Sequence, residues 1–304
     1  MVIIAVFPGQ GSQTPGFLAP WLTVDGAAEL LAKYSEWAGV DLIAAGTEWD
    51  ADRIRDTQVA QPLIVAASLL SWGALEHRGV AGVAGHSVGE FAAAAAACVL
   101  SEEDALRLVG IRGRAMAEAA AAEQTGMSAV IGGDEASIVA RLEELDLTPA
   151  NYNGGGQLVA AGSLPALQAL TAEPPAGTRV IPLQVAGAFH TRYMGSAVDA
   201  LRQAAATVES ADPAVTLWSN RDGASVTSGA DFVDLLVEQV ASPVRWDLCM
   251  ASFAAEGVTG ILELSPAGTL TGLAKRALRG VPGVAVKTPD DLPAAQALLS
   301  GAHA

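Results

Sequence analysis

The sequence predicts an α/β fold in which a largely parallel sheet is interrupted by a small inserted subdomain. Strand-like and helix-like segments alternate along most of the chain, as they do in parallel sheets covered by helices. In the middle of the chain the order changes to βαββαβ, which is typical of a ferredoxin-like unit. The 304 residues, 51% apolar and 16% charged, are sufficient for a substantial core. We therefore expect a large subdomain at 1–125 and 186–304 and a small one at 126–185.

Two apolar runs in the first part of the large subdomain, at residues 2–7 and 80–84, predict buried strands. The six alanines after Phe91 are predicted to be helical, because alanine is the best helix former and its small side chain allows close packing on a sheet. Ser101 is placed to cap a further helix that reaches about residue 122. Other helices are predicted at 27–38 and 62–77.

The small subdomain is predicted to contain four short strands and two helices. Ser163 is expected to cap the second of these helices, "SLPALQALTA". The strands are predicted at 126–133, 148–152, 157–161 and 178–185, and the helices at 134–145 and 163–172. The alternation then resumes, with strands at 215–218, 260–264 and 284–287 and helices at 231–240, 244–256 and 270–279.

The composition argues against several classes of protein. With 17 Lys and Arg against 33 Asp and Glu, the formal net charge is −16, which disfavours nucleic acid as a partner because a phosphate backbone is bound through clustered basic side chains. Residues 2–7 lack the positive flank of a secretory signal, and the longest uncharged apolar run, 91–100, is too short to span a bilayer. We expect a soluble, cytoplasmic protein without membrane association.

The two cysteines, Cys98 and Cys249, do not make a disulfide framework, and neither has a metal-type spacing with a histidine. Both are predicted to be thiols in the core, with Cys98 inside the alanine-rich helix. The sequence predicts no metal site.

Gly85-His86-Ser87-Val88-Gly89 matches the G-x-S-x-G pattern of a nucleophile elbow. It follows a predicted strand and precedes the alanine-rich helix, as an elbow requires, and so indicates an α/β-hydrolase-like large subdomain. The glycines permit a tight turn that brings the Ser87 hydroxyl to the helix N-terminus, where developing negative charge is stabilised. The alternative is that Ser87 only caps the helix.

A serine nucleophile requires a base, and the chain contains four histidines. His86 adjoins Ser87 but points in a different direction as the chain leaves the strand, so we expect it to orient the site. His77 is predicted to end a helix, where a cation complements the helix dipole, and His303 to lie in a frayed tail. By elimination His190, in "VAGAFHTRYM", is the predicted base; the alternative is a structural histidine.

Arg112 argues for an enzyme that accepts an acidic acyl group rather than an ordinary esterase. It lies 25 residues after Ser87, on the helix that follows the elbow helix, and it would face the site if these two helices folded back on each other. A guanidinium can bind a carboxylate through two parallel hydrogen bonds. The alternative is a solvated surface charge, as we expect for Arg107 and Arg114 nearby.

Seven motifs in order give a resemblance to the malonyl-CoA:acyl carrier protein transacylases that covers nearly the whole chain. They are "FPGQGSQ", "GHSVGE", "IRGRAM", "NYNGGGQLVAAG", "GAFHTRYM", "VEQVASPVRW" and "ELSPAGTLTGLAKR". The acyltransferase domains of polyketide synthases share most of them. The resemblance implies a ping-pong transfer of malonyl from coenzyme A to the phosphopantetheine thiol of acyl carrier protein. Malonyl-CoA is then the substrate and coenzyme A a product, with no bound metal or other cofactor.

The same resemblance implies roles for the predicted catalytic residues. Ser87 would be the acylated nucleophile and His190 its general base and acid, as a dyad without a third acidic residue. The backbone N–H groups of Gln10 and Val88 would form the oxyanion hole. The main-chain carbonyl of Gln239, in "VEQV", would orient the histidine.

Substrate contacts are implied at four positions. Arg112 would hold the free malonyl carboxylate, and His86 would help to orient the site. Asn153 would line or brace the cleft between the subdomains. Phe189, in "AFH", would leave little room for an α-methyl group on the acyl chain.

Acyl carrier proteins are expected to be acidic, as this chain is, so their contact requires a local positive surface. The first candidates lie on one predicted helix and are Lys275, Arg276 and Arg279, followed by Arg179 and Arg192. The alternative is a charged helix face that only keeps the protein soluble. We expect a monomer that supplies malonyl units for fatty acid synthesis or polyketide synthesis. Two rival functions are a thioesterase or other serine hydrolase and a catalytically inactive docking protein.

Overall fold

The computed structural model describes residues 1–301, so His303 lies outside the described residues. The strands in this part of the chain are β1 (Ile3–Phe7), β2 (Val80–Gly85), β3 (Thr125–Gly132), β4 (Thr148–Gly154), β5 (Gln157–Ser163), β6 (Thr178–Pro182), β7 (Thr216–Trp218), β8 (Ser225–Val226), β9 (Gly260–Glu263) and β10 (Gly283–Ala285). They form a six-stranded sheet in the order β10-β9-β1-β2-β7-β8 and a four-stranded sheet in the order β4-β5-β3-β6. The six-stranded sheet is parallel except for its edge strand β8.

Helices cover the sheets. They are α1 (Ala27–Ala38), α2 (Leu42–Thr47), α3 (Ala51–Arg55), α4 (Thr57–Gly73), α5 (Gly89–Ala96), α6 (Glu102–Ala122), α7 (Glu135–Glu144), α8 (Leu164–Ala172), α9 (Gly195–Ala205), α10 (Gly229–Glu238), α11 (Trp246–Ala255), α12 (Thr269–Ala277) and α13 (Leu292–Ser300). None of those within residues 1–301 is both long enough and apolar enough to cross a membrane.

β1 is buried on both faces, which explains why its sequence is a continuous apolar run rather than an alternating one. Ile3, Ala5 and Phe7 pack into a core with helices that include α1, α4, α5 and α6. Ile4 and Val6 face the opposite side and pack into a second core with α11 and α12. The predicted parallel sheet covered by helices is confirmed.

The four-stranded sheet has the predicted ferredoxin-like order, with β3, α7, β4, β5, α8 and β6 following one another along the chain. All of its neighbouring strands are antiparallel. The predicted cap is present at α8, where Ser163 Oγ accepts a hydrogen bond from the N–H of Ala166. At α7, Asp134 accepts in the same way from the N–H of Ser137. This sheet has its own small core, formed with α7 and α8.

The prediction that His77 ends a helix as a cation is wrong. The helix predicted at 62–77 is α4, which begins after its cap at Asp56 and ends at Gly73. His77 lies beyond the helix end, and its ring packs on that of Trp72 with 3.8 Å between ring centroids. Burial lowers the pKa of this imidazole, so the neutral form is favoured.

The prediction of two core thiols is right for Cys249 and wrong for Cys98. The alanine-rich helix ends at Ala96, and Cys98 sits in the following turn with φ of 60° and an exposed side chain. Cys249 is fully buried, which raises the pKa of its thiol. Similarly, α12 ends at Ala277, so Arg279 lies beyond the helix on which it was predicted.

Candidate active site

Ser87 lies on a sharp turn between β2 and α5, with a φ of 52° in the left-handed region that non-glycine residues rarely adopt. A Cβ atom at Gly85 would approach the carbonyl carbon of Gly89 to 2.0 Å, and one at Gly89 would approach the carbonyl oxygen of Phe7 to 2.2 Å. Both glycines are therefore required by the close approach of strand, turn and helix. The G-x-S-x-G pattern forms the elbow geometry expected from the sequence.

The structure brings His190 to Ser87 across 103 residues of sequence. The Ser87 Oγ and His190 Nε2 atoms are 2.7 Å apart, and His190 Nδ1 is 2.8 Å from the main-chain oxygen of Gln239. A carbonyl oxygen can only accept, so Nδ1 carries the proton and Nε2 is free to accept the serine hydroxyl. Burial, together with the Arg112 charge, lowers the pKa of His190 to about 3, so the imidazole is neutral near pH 7.

Arg112 projects from α6 into the same site and is 1% exposed. Its guanidinium donates to Gln61 Oε1 at 2.7 Å and to Gln239 Oε1 at 2.9 Å, and its NH2 group is 3.4 Å from Ser87 Oγ. Burial lowers the pKa of Arg112 to about 10, so the side chain is still charged at neutral pH. Its buried Nε–H group has no hydrogen-bond partner among the described residues.

A cavity of about 290 Å³ joins these three side chains. It lies between the two sheets, because its lining also includes Met127 and Ala129 of β3 and Leu270 and Leu273 of α12. The lining is mainly apolar, with polar groups concentrated around Ser87. A pocket of this type suits a small acyl group attached to a longer chain.

The remaining predicted substrate residues line the same cavity. His86 Nε2 and Asn153 Oδ1 are 2.9 Å apart, so a hydrogen bond links the elbow to β4 of the four-stranded sheet. Burial lowers the pKa of His86, which is therefore neutral and donates from Nε2. Phe189 is 6% exposed and directly precedes His190.

The predicted oxyanion-hole residues come from two adjacent segments. Gln10 lines the cavity from the loop after β1, and Val88 lies in the turn before α5. The N–H of His86 donates to the oxygen of Phe7 at 2.9 Å and so holds the two segments together. Within residues 1–301, neither the Gln10 N–H nor the Val88 N–H donates a hydrogen bond to a protein acceptor.

Three buried polar residues that the sequence did not single out complete the surroundings of the site. Gln61, on α4, accepts from Arg112. Asn220, after β7, accepts from the N–H of Ser87 at 2.7 Å, and Glu90 accepts from the N–H of Asn220 at 2.6 Å. The signals for Glu90 were its place at the end of the "GHSVGE" motif and a carboxylate within an apolar helix. Gln61 and Asn220 carry no local signal, since they meet the site only through folding.

The candidate carrier-protein contacts lie on the surface. Lys275 and Arg276 are exposed on α12, and Arg279 is exposed after it. Arg276 donates to Gln157 Oε1 at 3.4 Å, near the cavity lining. The Arg192 charge is paired with Asp146 at 2.7 Å, which makes Arg192 a weaker candidate.

Comparison with known proteins identifies the class of protein to which this chain belongs. A family model described as "Acyl transferase domain" matches residues 4–290, so the chain is an acyltransferase. The malonyl CoA-acyl carrier protein transacylase of Mycobacterium tuberculosis strain H37Rv is 55% identical over 296 residues, covering 96% of this chain and 98% of that protein. The chain belongs to the malonyl CoA-acyl carrier protein transacylase family, which confirms the resemblance seen in the sequence.

Solved structures agree with this assignment and with the two-sheet fold. The crystal structure of MCAT from Mycobacterium tuberculosis superposes with a TM-score of 0.94 at 53% identity, covering 97% of this chain and 100% of that one. A second structure, of a type II PKS acyl-carrier protein in complex with its malonyl-transacylase (PlMCAT:AntF), has a TM-score of 0.91 at 31% identity. It covers 97% of this chain and 99% of that one.

Proposed function

We propose that this protein transfers a malonyl group from coenzyme A to the phosphopantetheine thiol of an acyl carrier protein through a covalent acyl-serine. The observation that carries the proposal is the single cavity in which Ser87 Oγ, His190 Nε2 and the Arg112 guanidinium meet. The similarity to a malonyl CoA-acyl carrier protein transacylase supports both the donor and the acceptor.

In the first half-reaction, Ser87 Oγ attacks the thioester carbonyl carbon of malonyl-CoA, and its proton passes to His190 Nε2. The Nδ1 proton stays hydrogen-bonded to the Gln239 carbonyl, which holds the ring in the required tautomer. The negative charge on the former carbonyl oxygen is accepted by the N–H groups of Gln10 and Val88. The carbon–sulfur bond then breaks, and coenzyme A leaves as a thiol with the proton from His190.

In the second half-reaction, the carrier-protein thiol gives its proton to His190 and attacks the ester carbonyl carbon. The bond to Ser87 Oγ breaks, and the serine recovers the proton from the imidazole. Coenzyme A leaves before the carrier protein reacts, so the kinetics are ping-pong. The neutral state of the buried His190 suits it to accept a proton in both halves.

Arg112 selects the malonyl group by binding its free carboxylate. The buried guanidinium is already held by Gln61 and Gln239, so little side-chain freedom is lost when the substrate binds. Arg112 lines the cavity, and its NH2 group is 3.4 Å from Ser87 Oγ, which supports this role. Phe189 limits the space beside the α-carbon of the acyl group, and the hydrogen bond between His86 and Asn153 braces the cavity lining between the elbow and β4.

Lys275 and Arg276 are the proposed first contacts for an acidic carrier protein. Both are exposed on α12, and Leu270 and Leu273 of the same helix line the cavity. A partner bound there would lie beside the cavity entrance. We further propose that the enzyme acts as a cytoplasmic monomer without a bound cofactor, and that residues 126–185 form the small subdomain.

Brief exposure to malonyl-CoA followed by intact-mass measurement tests the acyl-enzyme. We expect one added malonyl group on the native chain and none on Ser87→Ala, whereas Ser101→Ala, a serine at a helix cap, acylates normally. A native chain that gains no malonyl group would favour a catalytically inactive docking protein.

A second measurement separates the transferase from a thioesterase. The isolated malonyl-enzyme is mixed with buffer alone or with carrier protein bearing its phosphopantetheine thiol, and the release of labelled malonyl is followed. We expect release to the thiol to be faster than release to water. Dominant hydrolysis in the presence of carrier protein would defeat the transferase proposal.

A further inference from the structure

Glu90 is a buried carboxylate that the reaction described above does not use. It is 1% exposed, in the first turn of α5, three residues after Ser87. Every other residue of α5 is glycine, alanine or phenylalanine. Burial of a carboxylate in such a helix is costly unless its oxygens are hydrogen-bonded.

Both Glu90 oxygens accept hydrogen bonds from residues that reach the active site. Oε1 accepts from the backbone N–H of Asn220 at 2.6 Å, and Oε2 accepts from Gln239 Nε2. Burial raises the pKa of Glu90 to about 8, and the Asn220 N–H, the Arg112 charge and Gln239 act against that rise. In its ionised form the carboxylate offers only acceptors to these two donors. Its presence therefore dictates which end of the Gln239 amide faces α5.

The orientation of the Gln239 amide matters because its other end contacts Arg112. With Nε2 directed to Glu90, Gln239 Oε1 accepts from the Arg112 NH2 group at 2.9 Å. A flipped amide would present NH2 to a guanidinium, two donors facing each other. The same Nε2 also donates to the main-chain oxygen of Ser87 at 3.1 Å.

Asn220 connects Glu90 to the other side of the elbow. Its Oδ1 accepts from the Ser87 N–H at 2.7 Å, and its Nδ2 donates to the oxygen of Gly85 at 2.7 Å. The backbone of Ser87 is thus held at its N–H by Asn220 and at its carbonyl by Gln239. Both of these residues are held by Glu90, and they support a serine whose φ of 52° needs such constraint.

We propose that Glu90 is a positioning residue, which fixes the direction of the Gln239 side chain and the position of the Asn220 backbone, and through them the Ser87 elbow and the Arg112 guanidinium. This inference rests on the proposed acyl-serine chemistry. Glu90 does not touch the reacting atoms. It supplies two acceptors at a point where an amide side chain would supply one acceptor and one donor.

The test compares Glu90→Gln with a double variant that reverses the polarity of the contact. In Glu90→Gln, one of the two donors, the Asn220 N–H or Gln239 Nε2, faces the new NH2 group. In Glu90→Gln with Gln239→Glu, residue 90 donates to the carboxylate at 239, which also accepts from Arg112. The hydrogen bond from residue 239 to the Ser87 main-chain oxygen is lost in this variant. The main-chain carbonyl of residue 239, which contacts His190, is retained in both.

Single-turnover acylation of Ser87 is measured by intact mass, per folded molecule, at several donor concentrations and at a pH above about 8, where the Glu90 carboxylate is ionised. Acetyl-CoA is used beside malonyl-CoA because it does not compete with a carboxylate at position 239 for Arg112. For Glu90→Gln we expect the saturating rate to fall about 10- to 100-fold with both donors, as for an unsatisfied buried donor. The half-saturating concentration of acetyl-CoA should change less than about threefold, because Glu90 acts on the chemical step.

The double variant decides between polarity and general packing. We expect it to acetylate Ser87 faster than Glu90→Gln but more slowly than the native enzyme, because the contact between residues 90 and 239 is restored whereas the hydrogen bond to the Ser87 oxygen is not. An unchanged rate in Glu90→Gln, or a double variant slower than both single variants, would overturn the proposal. If Glu90→Gln does not fold, the double variant is compared with Gln239→Glu, in which the carboxylates of residues 90 and 239 face each other. A double variant that is neither faster nor more stable than Gln239→Glu would also overturn the proposal.

The two failures are distinguishable. Absence of any adduct on the native enzyme would count against the proposed function itself. A normal native adduct, together with indifference of the rate to Glu90, would count only against the positioning role.

Discussion

Replacement of Arg112 with alanine should convert a malonyl-selective site into one that no longer distinguishes malonyl from acetyl donors. The guanidinium is 1% exposed and its NH2 group lies 3.4 Å from Ser87 Oγ, so a carboxylate two bonds beyond the thioester carbonyl carbon is within its reach. Arg112→Ala removes the only buried cation beside Ser87 among residues 1–301.

The size of the effect follows from the charge pair that is lost. Two unit charges about 4 Å apart interact by about 4 kcal/mol at an effective dielectric constant of about 20. Taking about 3 to 4 kcal/mol after desolvation, and about 1.4 kcal/mol per tenfold change in rate, the second-order acylation rate with malonyl-CoA should fall about 10²- to 10³-fold. Acetyl-CoA carries no free acid, so its rate should be retained or improved.

The assay is single-turnover acylation with each donor, read by intact mass and compared with Arg107→Ala. Arg107 lies on the same helix, with 57% of its side chain exposed and only a 4.0 Å contact to Glu103. Arg107→Ala should leave both rates unchanged. Equal losses with malonyl and acetyl donors in Arg112→Ala would refute the carboxylate assignment and make Arg112 a structural residue.

Three further predictions concern the base, the elbow and the thiols. Because the pKa of His190 is lowered to about 3, the neutral base form of the imidazole persists in weak acid. In a pH-rate profile, the acylation rate should therefore not fall with an apparent pKa near 6.5, the ordinary value for histidine. Gly89→Ala should lower the melting temperature or prevent folding, because a Cβ atom there meets the oxygen of Phe7. The control is Gly73→Ala, at an exposed helical position with open space, which should leave the melting temperature unchanged or raise it. Equal melting temperatures for the two variants would contradict the packing argument. A maleimide should label Cys98 but not Cys249 until the chain is denatured, and two fast-reacting native thiols would exclude the structure described here.

Local features of the sequence were sufficient for much of the fold and for the candidate nucleophile. The apolar run of β1, the caps at Ser101 and Ser163 and the βαββαβ order are short-range patterns, and the structure has them where they were predicted. The elbow is also local, since Gly85 and Gly89 are needed by atoms of the adjoining strand, turn and loop. Helix ends were less predictable. Cys98 and His77 were misplaced because turns following α5 and α4 end those helices early.

The relation of Ser87 to residues far along the chain depends on tertiary structure. Elimination among four histidines made His190 the predicted base, and only its spacing from Ser87 distinguished Arg112 from the other helix arginines. The family resemblance then implied the roles of both residues. Folding places the parallel strands side by side, so their carboxyl ends and following turns meet at one edge of the sheet.

The buried polar network at that edge was invisible in the sequence. Asn220 has no pattern of its own, and the carboxylate that ends "GHSVGE" does not show its partners, because a buried polar group is defined by the donors and acceptors that folding brings to it. The sequence by itself determined which segments become strands and helices and where the elbow turns. Only the tertiary structure decided which distant side chains form hydrogen bonds to the serine, orient it and shield it from water. These effects depend on distances of a few ångströms between elements that are remote in the chain.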